Sequence, residues 1–225
     1  MMLPLNITGG YAICYSIYFA QLLVVQSSNS QQLVNAAGKP AAQPGKLLWL
    51  HAAGICWLGL VPLALSSPVH DTLTANGSPG FGLMGAFLAA LLLAVYLGAT
   101  DARKFMLAPT LKPAYTTSFY KRYFLLRIPF LICYELFFRG HLLFVNTANI
   151  GLAGALLADV LLTVFLHLFS GKKWMLGCIP FSLASCIINV QAHAVWPSIL
   201  LHLALSLSFE ITVLHKFFNS LKSAS

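Results

Sequence analysis

The chain reads as an all-α protein, a polytopic transmembrane helical bundle of about seven spans, and three observations predict this. Of its 225 residues, 59% are hydrophobic and 8% are charged, a balance foreign to an ordinary soluble domain. The apolar residues come in runs near the ~20 residues that a helix needs to cross a bilayer. Lys and Arg gather in alternate connections between those runs, as they do in cytoplasmic loops.

The runs lie at about residues 9 to 26, 47 to 67, 80 to 99, 123 to 145, 149 to 169, 174 to 191 and 194 to 215. No Lys or Arg precedes Lys39, so the first run lacks the cationic leader of a signal peptide and is expected to be a retained span. Lys39 and Lys46 follow it. Arg103, Lys104, Lys112, Lys121 and Arg122 lie between the third and fourth runs, Lys172 and Lys173 between the fifth and sixth, and Lys216 and Lys222 in the tail. The other connections carry no cation, and Arg127 and Arg139 belong to the fourth run. Seven spans then place the N-terminus outside and the C-terminus in the cytoplasm, in one membrane domain over residues 1 to 225. The last three runs follow each other so closely that one could be a half-span or a broken helix.

The formal net charge of +8 belongs to this topology. Its cations are dispersed between apolar runs, without the basic patch of a nucleic-acid binder, so no nucleic-acid partner is expected. Cys14, Cys56, Cys133, Cys178 and Cys186 all fall in apolar runs without paired spacing, which suits packing and neither disulfides nor a zinc knuckle. The first connection, from Gln26 through Lys39-Pro40 to Pro44-Gly45, is polar and rich in breakers and reads as a flexible loop. The segment from Thr100 to Arg122 mixes bases with Phe105, Tyr115, Phe119 and Tyr120, which suits an anionic headgroup surface. Residues 9 to 99 hold no ionisable group near mid-membrane except His51, close to an end, and read as scaffold.

From the fourth span onward the pattern changes. Glu135 and Arg139, then Asp159, Thr163 and His167, then His202, Ser206 and Glu210 recur at a spacing of four, which lines each set along one helix face. Glu135 and Arg139 can pair on theirs. Ionisable residues at bilayer depth turn inward and mark function by default, so the three faces are expected to meet in one buried polar site. Residues 121 to 215 form the expected functional core.

Several chemistries are excluded by motif. HExxH, GxSxG and a glycine-rich phosphate loop are all missing from the sequence, which argues against a zincin, a serine hydrolase elbow and a nucleotide cradle. A carboxylate with two histidines suffices for general-base activation of water, with donors left for an oxyanion. The same residue types serve a proton relay or a metal site. A divalent metal at Glu135, His167 and His202 therefore stays open, and no other cofactor is expected. On straight helices His167 would lie nearer the cytoplasm than Glu135 or His202, whereas Asp159 would match their level. Either the fifth span is shifted or broken, or Asp159 belongs to the site. Glu210 is expected at the cytoplasmic end, His141, His193 and His215 near interfaces, and Cys133 in packing.

The stretch Glu135-Leu136-Phe137-Phe138-Arg139-Gly140, a histidine near the end of the next helix, and Trp196-Pro197-Ser198-Ile199-Leu200-Leu201-His202 resemble the CAAX-processing and bacteriocin-processing family of intramembrane proteases. That family includes the type II CAAX prenyl endopeptidases and bacterial abortive-infection membrane proteins. The resemblance covers roughly residues 121 to 210 and three motifs, EExxxR, FxxxH and HxxxN. Tyr134, Glu135 and Arg139 stand at the first, Thr163 and His167 at the second, His202 and Ser206 at the third.

The resemblance implies an endopeptidase that hydrolyses a peptide bond near the cytoplasmic half of a bacterial inner membrane. Glu135 and His167 would activate the water, Arg139 would orient Glu135, and His202 with Ser206 would support the oxyanion. Lipid, a membrane-associated peptide or protein substrate, and a membrane protein complex are the implied partners. Substrates of the implied kind are a lipidated tail, a bacteriocin leader or a membrane-anchored sorting signal. Three positions depart from the motifs. Thr163 replaces a phenylalanine, Ser206 is shorter than asparagine and offers one donor, and Tyr134, a phenol with a reference pKa of about 10, is a poor base at neutral pH. Tyr134 and Ser206 favour an alternative, a catalytically silent member serving as membrane subunit, assembly or immunity factor. A third reading is a proton-coupled or ion-binding channel lined by Glu135, Asp159 and His202.

Overall fold

Apolar length marks five helices as able to cross a bilayer: Pro44–Leu65, Phe81–Arg103, Thr117–His167, Lys172–Ala192 and Trp196–Lys216, with Gly9–Val25 a shorter apolar helix. The structure is a computed structural model that describes residues 5–25, 33, 43–65, 80–104 and 117–222. All of its regular elements are helical. We label them α1 (Leu5–Val25), α2 (Pro44–Leu65), α3 (Phe81–Lys104), α4 (117–150), α5 (152–167), α6 (Lys172–Ala192) and α7 (Trp196–Lys222). The chain is a helical membrane protein.

Local chemistry explains the boundaries. Pro44 opens α2, where its missing N–H costs nothing. A π-helical turn, Cys56–Leu60, interrupts α2, and another, Leu136–Leu142, interrupts α4. The helical stretch Thr117–His167 spans 51 residues, too long for one crossing. Gly151 divides it, with φ 74° and ψ 166°, a conformation open essentially to glycine alone. Arg139 and Asp159 would stand ~30 Å apart on a straight helix. Their side chains are 3.6 Å apart, so α5 doubles back along α4 at Gly151. The break expected between residues 145 and 149 falls a little later, since 146 to 150 are still helical.

The first two helices pack against the fourth, and α3 packs against α7. Tyr11, Cys14, Tyr18 and Leu22 of α1 recur at helical spacing and pack with Leu50 and Leu58 of α2 against Phe130, Leu131, Phe137 and Phe138 of α4. Small residues permit close approach, as in other membrane bundles. Gly54 faces the Phe130 ring, Gly59 faces Cys133, and Gly98 of α3 faces the Leu205 carbonyl of α7. Leu92, Leu93, Leu157, Leu161 and Phe165 are exposed, as side chains turned to lipid should be.

One end of the bundle collects several of the cations. Lys173, opening α6, lies 2.5 Å from Asp101 near the end of α3, and Lys216 of α7 donates to the Arg103 carbonyl at 2.6 Å. The connection expected to be a loop from Gln26 to Gly45 lies outside the described residues, apart from Leu33 and the approach to α2. So do residues 105–116, with Phe105 and Tyr115. Phe119 and Tyr120 sit in the first turn of α4 and pack edge to face.

Candidate functional site

Two polar layers are built on α4 and α7, which run antiparallel. Eight residues separate Arg127 from Glu135 on α4, and eight separate His202 from Glu210 on α7. Eight residues are about 12 Å of helix, so the two pairings, Glu135 with His202 and Arg127 with Glu210, share one register.

In the first layer, His202 Nδ1 and Glu135 Oε1 are 2.6 Å apart, with the imidazole side chain 17% exposed and the carboxylate 0% exposed. An ionised carboxylate accepts only, so Nδ1 carries the donated hydrogen. Aromatic edges clamp the ring: Tyr134 and Phe181 each stand 5.4 Å from it, both T-shaped. Tyr134 also packs 4.6 Å from Phe138, and the Arg139 guanidinium lies 5.8 Å over its ring. The phenol is therefore a wall of the site.

Arg139 lies in the π-helical turn of α4 and is fully buried. Its Nε is 3.5 Å from Glu135 Oε2 and 3.6 Å from Asp159 Oδ2. Its Nη2 donates to Ser182 Oγ at 2.5 Å, and Ser182 donates onward to Asp159 Oδ2 at 3.3 Å. The Cys186 thiol donates to that same oxygen at 3.1 Å. Glu135 Oε2, Arg139 Nη1 and Asp159 Oδ1 are buried without a hydrogen-bond partner among the described residues. Such atoms cost about 1–3 kcal/mol each when left unmade, so this layer has polar capacity beyond its internal bonds.

The second layer holds Glu210. Its Oε1 accepts from Tyr123 at 2.8 Å and from Arg127 Nε at 3.0 Å. Arg127 Nη2 donates to Ser206 Oγ at 2.9 Å, and Arg127 Nη1 lies 3.3 Å from His51 Nε2.

Of the residues singled out by sequence, Glu135, Arg139, His202 and Tyr134 come together, and Asp159 joins them. His167 does not. Its Nδ1 donates to the Thr163 carbonyl at 2.9 Å, and among the described residues it makes no hydrogen bond or ion pair with Glu135 or His202. Doubling back at Gly151 brings Asp159, one of the two outcomes anticipated from helix levels, to the layer of Arg139. Ser206 belongs to the neighbouring layer. Glu210, expected at the cytoplasmic end, is buried in an ion pair, and His51 is part of that network and no inert scaffold residue. His141 is buried, 3.1 Å from the Tyr11 hydroxyl, and no interfacial group. His193 and His215 are exposed. Among the described residues no three His, Cys, Asp or Glu side chains are placed to hold a metal ion.

Sequence reasoning missed Arg127, Tyr123 and Ser182. Arg127 had a signal, since it precedes Glu135 by the interval that separates His202 from Glu210. Ser182 had none, because a serine in an apolar helix is common.

No family model, no curated protein and no solved structure matches this chain.

Proposed function

We propose that this protein is an intramembrane endopeptidase, hydrolysing a peptide bond in a membrane-associated substrate with water activated on His202. The observation that carries the reading is the 2.6 Å contact between His202 Nδ1 and Glu135 Oε1, with a buried carboxylate behind a partly exposed imidazole. A carboxylate behind Nδ1 orients the ring, and stabilises the imidazolium that forms when Nε2 takes a proton from water. His202 is thus the base and Glu135 its positioning residue, a change from the roles that the motif resemblance implies. Arg139 holds Glu135 from the other side. His167 and Ser206 have no assigned step. In this reading the chain crosses a bacterial inner membrane seven times, N-terminus outside and C-terminus in the cytoplasm.

One observation favours a second reading, a silent membrane subunit or assembly factor. Ser206 accepts from Arg127 at 2.9 Å and turns its own hydroxyl hydrogen to Glu210 Oε1 at 3.5 Å, so the one donor of the third motif is directed to the neighbouring layer and not to a developing oxyanion.

Reconstituted protein mixed with membrane-anchored reporter peptides separates the two. Cleavage by wild type, lost in Glu135→Gln and in His202→Ala, supports the endopeptidase. Wild type behaving like Glu135→Gln, with cleavage gained in Tyr134→Glu, establishes the silent reading instead.

A further inference from the structure

Arg139 stands between two carboxylates supplied by different helices, Glu135 of α4 at 3.5 Å and Asp159 of α5 at 3.6 Å. All three side chains are buried. We propose that Asp159 is a positioning residue of the Glu135–His202 pair and acts through Arg139. The inference rests on the reading of that pair as the working dyad.

The physical argument is a competition for Glu135. A guanidinium presents a planar fork that takes both oxygens of a carboxylate when it can. In a medium of low polarity, attraction over this range is several times its value in water. With Asp159 present, Arg139 is shared, and Glu135 Oε1 is left to the imidazole. Without that second charge, the guanidinium has one carboxylate partner and is drawn onto both of its oxygens, against the His202 Nδ1–H. Asp159 is well placed to hold its share. Its Oδ2 accepts from Ser182 and Cys186 of α6 at 3.3 and 3.1 Å, and Ser182 also takes a hydrogen bond from Arg139. The α6 hydroxyl therefore ties carboxylate and guanidinium into one unit.

The test reads the His202 Nδ1–H proton directly, by proton–nitrogen resonance of the full-length protein labelled with 15N-histidine and held in lipid nanodiscs. A short hydrogen bond to a carboxylate gives a low-field proton, assigned by its loss in His202→Ala. Asp159→Asn is expected to move that resonance upfield, Asp159→Glu to restore it at least in part, and Asp159→Asn in an Arg139→Gln background to add no further movement. In peptide cleavage Asp159→Asn should lower kcat by up to about 10²-fold, the scale of a small misplacement of a reacting group, with KM unchanged. A resonance that stays in place in Asp159→Asn overturns the proposal. If Asp159→Asn fails to fold, Ser182→Ala replaces it, keeping every charge and removing only the bridging hydroxyl; displacement supports the proposal and an unmoved resonance overturns it. Absence of cleavage by wild type sinks the endopeptidase reading alone, because the resonance decides the role of Asp159 by itself.

Discussion

Arg127 and Glu210 face each other across α4 and α7 at 3.0 Å, with side chains 5% and 0% exposed. The pair lies two helical turns from Glu135 and His202 in the same antiparallel register. Tyr123, Ser206 and His51 complete its hydrogen bonding, so the layer clamps α2, α4 and α7 together beside the candidate site.

Removing one partner of this pair leaves a buried charge uncompensated, at a cost of about 3–5 kcal/mol. Glu210→Ala is therefore expected to lower the unfolding midpoint in detergent steeply. The double variant Arg127→Met/Glu210→Leu, which removes both charges and keeps volume, should recover most of the loss. Equal destabilisation in the single and double variants would show that packing, and not charge balance, governs the layer.

The contact of α3 with α7 depends on Gly98. A Cβ there would stand 2.4 Å from the Leu205 carbonyl oxygen and 2.1 Å from Ser208 Oγ. The carbonyl is helix backbone and cannot step aside, so Gly98→Ala should destabilise by about 1–3 kcal/mol, as overpacking does. Gly85, on the same helix with nothing within 4 Å of a Cβ, is the control, and Gly85→Ala should be tolerated. Thermal unfolding of both variants reads the difference.

His202 and His167 should separate sharply in a cleavage assay. A general base contributes about 10²–10⁴-fold, so His202→Ala is expected to lower kcat/KM by that amount. His167→Ala removes a ring whose Nδ1 is bonded to its own helix at the Thr163 carbonyl, and should cost far less. Equal losses would return His167 to the centre of the reaction and undo the reassignment of the base.

Membrane orientation can be read from two short connections at opposite ends of α6. In a background with the five native cysteines replaced by alanine, an impermeant maleimide applied to intact cells should label His193→Cys and spare Ser170→Cys until the cells are permeabilised. The reverse pattern would invert the topology drawn from the Lys and Arg distribution.

Much of the fold is legible in the sequence for a simple reason. Apolar length and charge placement are properties of each segment taken alone. The runs at 47 to 67, 80 to 99, 174 to 191 and 194 to 215 match α2, α3, α6 and α7 closely, whereas the division expected between 145 and 149 lies at Gly151, within the run drawn from 149. The polar faces were legible too, because a spacing of four fixes a side of the helix whatever packs against it. Glu135, Arg139, Asp159 and His202 were all found that way.

Which members of those faces meet was decided only in three dimensions. A spacing of four says nothing about axial level, and a slip of one turn, about 5.4 Å, hands a side chain to a different partner. Gly151 sets that level for α5, delivering Asp159 and not His167 to Arg139. The antiparallel register of α4 and α7 sets it for the rest, giving His202 to Glu135 and Ser206 with Glu210 to Arg127. Periodicity alone determined the residues of the polar interior, and helix offset, a property of the assembled bundle, decided their division into two layers.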